Sequence, residues 1–116
     1  MTMQRLTEIE ECIVINTREM SALWSVLADW TSSEDEELWV QFEPLFASVV
    51  TSWVEKEYLE IYEGPEWPAY EKGRLIPVIE CPALLADHEA WVYSEHPVRV
   101  ISLFPGVKFG DVLDRL

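Results

Sequence analysis

From Glu19 to Glu55 this chain carries no lysine or arginine. Over the whole sequence eight basic side chains stand against 22 acidic ones, a formal charge of -14. That shortage argues against direct nucleic-acid binding, because gripping a phosphate backbone takes cations that neutralise it contact by contact. A chain so charged also avoids anionic membrane surfaces and attracts basic partners. A plainer use of the same charge is solubility, with carboxylates that keep the molecule dispersed and recognise nothing.

Other scarcities narrow the chemistry. The four glycines stand apart, so no Gly-rich loop exists to cradle a phosphate. The two histidines, His88 and His96, sit in a polar stretch and before Pro97, and neither is near a cysteine in sequence. Nucleophilic catalysis needs a nucleophile, a base and an orienting group, and that set is not recognisable here. D-H-E at 87–89 offers metal-ligand chemistry without an identifiable third or fourth partner. The expectation is a protein with no catalytic residue, no metal and no cofactor. Cys12 and Cys81 lie among apolar residues, without a C-x-x-C pair or a Cys/His spacing suited to zinc. They read as buried thiols, with a disulfide between them as the alternative. No apolar run is long enough to span a bilayer, and M-T-M-Q-R-L-T-E-I-E-E lacks the apolar stretch of a signal peptide. A cytoplasmic location is the simplest expectation.

What remains is globular. Apolar residues make up 49% of a 116-residue chain, enough for one domain with one core. The six tryptophans are too many for all of them to hide in so small a body. Residues 1–16 suit either a short strand around C-I-V-I or a helix. N-T-R-E then reads as a capping box with Asn16 as the cap and Glu19 reaching back. Met20, Leu23, Trp24, Leu27 and Trp30 follow at helical steps, predicting a helix over 17–30. S-E-D-E gives a second box, with Ser33 as cap and Glu36 reaching back, and a short helix over 34–42 that buries Leu38, Trp39 and Phe42. Pro44 opens a third helix ending near Glu57, with a stripe of Leu45, Phe46, Val49, Val50, Trp53 and Val54. Tyr58–Tyr62 favours a strand. R-L-I-P-V-I suits an edge because of Pro77, A-L-L-A-D a helical turn or two after Pro82, V-R-V-I-S-L-F at 98–104 a returning strand, and F-G-D-V-L-D-R-L a closing helix.

Helices followed by a strand, a long turn and a returning strand form the order of winged-helix proteins. V-V-T-S-W-V-E-K-E-Y-L-E-I-Y resembles the passage in that family from the third helix into the wing, which carries a phrase like V-E-K-G-Y-L. The likeness covers 17–62 and 98–104. Glu57 stands where the phrase has glycine, and the wing is unusually long. The resemblance implies an α+β fold: three helices, then a short antiparallel sheet with a long wing or loop insertion. It would also imply DNA reading. Yet Ser48, Thr51 and Ser52 could touch bases only if cations held the helix in the groove, and Lys56, Lys72 and Arg74 near the wing all have acidic neighbours.

The acid gathers in two places. One is Glu34, Asp35, Glu36 and Glu37, where it favours a helix N-terminus. The other runs from Glu55 through Glu57, Glu60, Glu63 and Glu66 to Glu71, interleaved with Tyr58, Tyr62, Trp67 and Tyr70. In an extended segment Glu57, Leu59 and Ile61 share one face and Tyr58, Glu60 and Tyr62 the other. Aromatic anchors among carboxylates suit a partner rich in lysine and arginine. Half-buried rings beside merely solvated glutamates are the bland account of the same pattern. By type, the chain resembles small acidic immunity proteins that dock on and neutralise a basic bacterial toxin, such as a nuclease. A homodimeric winged-helix regulator or adaptor, and a DNA mimic that inhibits a DNA-binding protein, are the alternatives. The expected partner is thus a basic protein, toxin or DNA-binding, for a monomer or homodimer.

Overall fold

The computed structural model describes residues 5–93 and 99–116. Its first helix, α1 (Glu8–Arg18), begins at a capping box formed by Thr7 and Glu10. The Glu10 amide donates to Thr7 Oγ1 at 3.2 Å, and the Thr7 amide donates to Glu10 Oε1 at 2.8 Å. The C-I-V-I stretch is therefore helical. The helix expected over 17–30 is instead the end of α1, a break, and α2 (Leu23–Thr31). Asn16 does not cap a helix. It is buried inside α1, and its amide donates to the Cys12 carbonyl at 2.9 Å and to Asp29 Oδ2 at 3.0 Å, tying α1 to α2. A side chain that can cap can equally satisfy itself within a helix and across to a neighbour.

Three helices of this glycine-poor chain end alike. Met20, Ser32 and Glu57 take left-handed backbone angles, with φ of 55, 53 and 66°. Each is followed by the amide that closes a Schellman turn: Ser21 onto the Asn16 carbonyl at 2.9 Å, Ser33 onto Ala28 at 3.2 Å and Tyr58 onto Trp53 at 2.9 Å. Left-handed backbone costs a residue with a Cβ about 1 kcal/mol. No glycine among the described residues takes a positive φ to relieve it. Glu57→Gly is therefore expected to stabilise the fold by about 0.5–1 kcal/mol. The exposed Glu57–Lys108 pair it removes, 3.1 Å long, contributes little. A urea titration checks this, and an unchanged or lowered midpoint counts against it.

Next comes α3 (Glu36–Val40), capped by Asp35, not Ser33, with the Glu37 amide donating to Asp35 Oδ1 at 3.0 Å. It is too short to bury all that the pattern promised. Trp39 is buried with Nε1 on the Ser33 carbonyl at 2.8 Å and Phe42 is half-buried, but Leu38 is exposed. In α4 (Glu43–Glu55) Pro44 does stand in the first turn. The packed stripe is Phe46, Val50, Trp53 and Val54, narrower than expected, and Leu45 stays exposed. Among the described residues four helices, not three, precede the first strand, because residues 8–18 are helical.

The sheet consists of β1 (Leu59–Gly64), β2 (Arg74–Leu75) and β3 (Val100–Pro105), antiparallel in the order β2-β1-β3. On the far side of β3, Ala22 makes an isolated bridge with Ser102. Alternation then does the sorting. Leu59, Ile61, Ile101 and Leu103 are buried, with β1 against α4 and β3 against α1. Val98, expected to begin the returning strand, lies outside the described residues.

The connection from β1 to β3 is not a simple wing. It holds α5 (Ala69–Lys72), β2, a 3-10 turn at Val78–Glu80, α6 (Cys81–Ala86) and a second 3-10 turn at His88–Trp91. The helix α6 packs on α4 and the second turn on α2, burying Cys81, Leu85, Ala90 and Trp91. Gly73 permits the strand pair to close: a Cβ there would lie 2.1 Å from the Glu63 carbonyl oxygen. Finally α7 (Phe109–Leu113) buries Phe109 and Val112. The protein is α+β, with helices on the inner face of a small antiparallel sheet.

Candidate functional site on the outer face of the sheet

The other parity of β1 and β3 faces outward. Glu60 stands opposite Phe104, and Tyr62 lies between Ser102 on one side and Leu75 on the other. The buried Ala69 seats α5 on this face and brings Tyr70 over it. Tyr62, Tyr70 and Phe104 form a ring triad, with centroids 5.2 Å apart for each tyrosine and Phe104 and 6.5 Å for the tyrosine pair. Burial against its neighbours and then the Glu60 carboxylate push the Tyr62 hydroxyl above its ordinary pKa. Trp67 is 56% exposed, and its Nε1 donates to the Met20 carbonyl at 2.8 Å.

The structure divides the expected anchors. Tyr62 and Tyr70 belong to one cluster, and Phe104 and Leu75, which the sequence reading missed, complete it. Tyr58 does not: it is half-buried and meets Trp53 edge-on at 5.8 Å, at the rim of the core. Beyond Leu75 the face runs into a hollow of about 150 Å³ over Val54, Leu59 and Ile76. Leu75, Val78 and Val107 border it with Glu57 and Glu60, and all three apolar side chains are exposed, as is the neighbouring Ile79.

The carboxylates divide too. Glu57 pairs with Lys108 at 3.1 Å, Glu63 with Arg99 at 2.9 Å and Glu66 with Lys72 at 2.7 Å. The charge of each of these glutamates is met by a cation of the same chain. Glu55, Glu60 and Glu71 have no cation within ion-pair distance among the described residues. Glu55 ends α4, Glu60 shares the aromatic face and Glu71 adjoins Tyr70. The first acidic cluster is elsewhere: Glu34, Asp35, Glu36 and Glu37 are all exposed at the start of α3, which packs on α2 and α4.

Nothing comparable assembles around the candidate chemistry. Cys12 and Cys81 are free and buried. Burial, then Asp29, pushes the Cys12 thiol up to about 11; burial, then Glu80, pushes Cys81 up to about 11. Such thiols are poor nucleophiles at neutral pH. Iodoacetamide at pH 8 is expected to leave both unmodified in the folded protein and to label both in urea, as intact mass would show. Labelling of the native chain would contradict the burial. His88 Nδ1 lies 2.8 Å from Glu43 Oε2, an ion pair only when the ring is protonated. His96 lies outside the described residues. Among the described residues no group of three or more His, Cys, Asp or Glu side chains is placed to hold a metal ion. No described helix is long and apolar enough to cross a membrane.

No family model matches the chain, and neither the curated proteins nor the solved structures contain a match to it.

Proposed function

We propose that this protein is a non-catalytic acidic binding protein that docks on a basic protein partner, in the manner of an immunity protein neutralising a basic bacterial toxin. The observation that carries the reading is the union of the Tyr62–Tyr70–Phe104 triad with Glu60 and Glu71, which among the described residues have no cation within ion-pair distance. Carboxylates without an ion-pair partner speed encounter with a cationic surface, and the exposed Tyr70 ring, with half-buried Tyr62 and Phe104 beside it, gives arginine a surface on which to stack. Inhibition would follow from covering the partner's substrate-binding surface, which in a nuclease is basic because its substrate is phosphate.

A winged-helix-like ancestry belongs to the same reading. Ala22, between α1 and α2, bridges to β3, and β1 and β3 both follow α4, an order that supports it. The face of α4 that a DNA reader would present holds Ser48 and Thr51, has no cation, and is flanked by α6. Its use in a DNA groove is accordingly not part of the proposal.

The test is capture of partners from the native cell extract on the immobilised chain, followed by calorimetry with the purified partner at low and high salt. A basic protein binding one to one, with affinity falling about tenfold or more as salt rises, is the expected result. Retention of duplex DNA at physiological salt, or a partner whose binding ignores salt, would overturn the reading.

A further inference from the structure

A second surface is built differently. Along α4, a groove of about 690 Å³ runs between Val40, Pro44, Ala47, Ser48 and Thr51 on one side and Pro82, Leu85, Ala86 and His88 on the other. Its lining is mostly apolar and mostly short, which lets a backbone approach closely. The walls come from residues 40–51 and 82–88, which belong to two stretches of sequence, 19–55 and 75–98, that contain no lysine or arginine. All eight basic residues lie outside them. Carboxylates sit at the margins. Glu36 and Glu37 are exposed one turn before Val40 in α3, Glu55 is exposed one turn after Thr51 in α4, and Asp87 and Glu89 are exposed on either side of His88. Glu43 closes one end through its contact with His88.

We infer that this groove receives a cationic amphipathic helix of a protein partner, its apolar stripe on Val40, Ala47 and Pro82 and its lysines or arginines on the acidic margins. The inference rests on the reading that the partner is a basic protein and adds a second contact to it. Charge selects the occupant. A second copy of this chain would bring another -14 to a margin that is already acidic, so self-association is disfavoured. The length of α4, 13 residues, offers a straight wall suited to a helix. Recognition of this kind is helix-in-groove, with anchors at helical spacing.

The probe is a short amphipathic Leu/Lys model peptide titrated into the nitrogen-15-labelled full chain. Two controls accompany it: a Leu/Glu peptide with the same stripe, and a Leu/Lys peptide of equal charge with the stripe scrambled. Saturable shifts at Ala47, Ser48, Thr51 and Ala86 with the first peptide alone are expected. Ser48→Arg, a change at an exposed position, should weaken binding about tenfold or more, while Asp111→Asn, an exposed change on α7, leaves it unchanged. Equal binding of the scrambled peptide, equal binding of the Leu/Glu peptide, shifts confined to Tyr62 and Tyr70, or no binding would each overturn the groove. If a basic partner is still captured by the chain in those cases, the groove falls and the sheet-face reading stands. If Ser48→Arg blocks the peptide but no basic partner is captured, the sheet-face reading falls instead.

Discussion

Changing Glu60 and Glu71 together to lysine is expected to weaken the complex with a basic partner about 30-fold or more, mostly through slower association. The choice of residues follows from the pairs within the fold. Reversing Glu63 or Glu66 would also break contacts to Arg99 and Lys72, so a loss of binding there could arise from a rearranged wing. Glu55 is left alone because it ends α4 and borders the groove, not the sheet face. Glu60 and Glu71 make no ion pair within the described residues, and the double variant should keep the circular dichroism of the parent. Each reversal replaces an attraction by a repulsion, and the two act on the same encounter. Tyr70→Ala should instead raise the dissociation rate, because an anchoring ring acts after contact is made. Surface plasmon resonance at two salt concentrations separates these effects. An unchanged affinity in the double lysine variant would sink the sheet face as the docking surface.

Why some of this was legible in the sequence, and some not, has physical reasons. Alternation in Leu59–Tyr62 names the inward and outward faces of β1 directly, since a strand has a period of two. Pro44 and the stripe behind it place α4 correctly. The helix ends were harder. Chains usually mark them with glycine, whereas this one uses Met20, Ser32 and Glu57 in left-handed turns, so the break between α1 and α2 left no mark. At position 57 the backbone adopts the conformation glycine favours although the residue is glutamate. Asn16 misled because a capping side chain and a buried cross-link have the same donors and acceptors. The site was half visible. Tyr62, Tyr70 and Glu60 are near one another along the chain, but Phe104 joins them only through the register of β1 with β3. Likewise, which glutamates are free depends on Arg99 and Lys108, distant partners that no local pattern discloses.

Trp91→Ala is expected to destabilise the protein by about 3–5 kcal/mol, a large share of the roughly 5–15 kcal/mol typical of such a domain. Trp91 is 1% exposed, and its Nε1 donates to the Leu85 carbonyl at 2.8 Å. It therefore locks the end of α6 to the turn that packs on α2. The connection between β1 and β3 could be imagined as an appendage to a finished core. An appendage would come loose in this variant at low urea, leaving the main transition where it was. The packing predicts otherwise: α6 and the His88–Trp91 turn touch α4 and α2, so their loss uncovers the same core that the sheet covers. One transition with an unchanged slope and a lowered midpoint is the expected urea curve. Trp91→Phe should fall between the two proteins, since it keeps a ring but withdraws the donor from the Leu85 carbonyl, at a cost of about 1–3 kcal/mol for the acceptor left behind. Two separated transitions in the alanine variant would show that the insertion folds apart from the body, and the groove it forms with α4 would then lack the rigid wall that a docking helix needs.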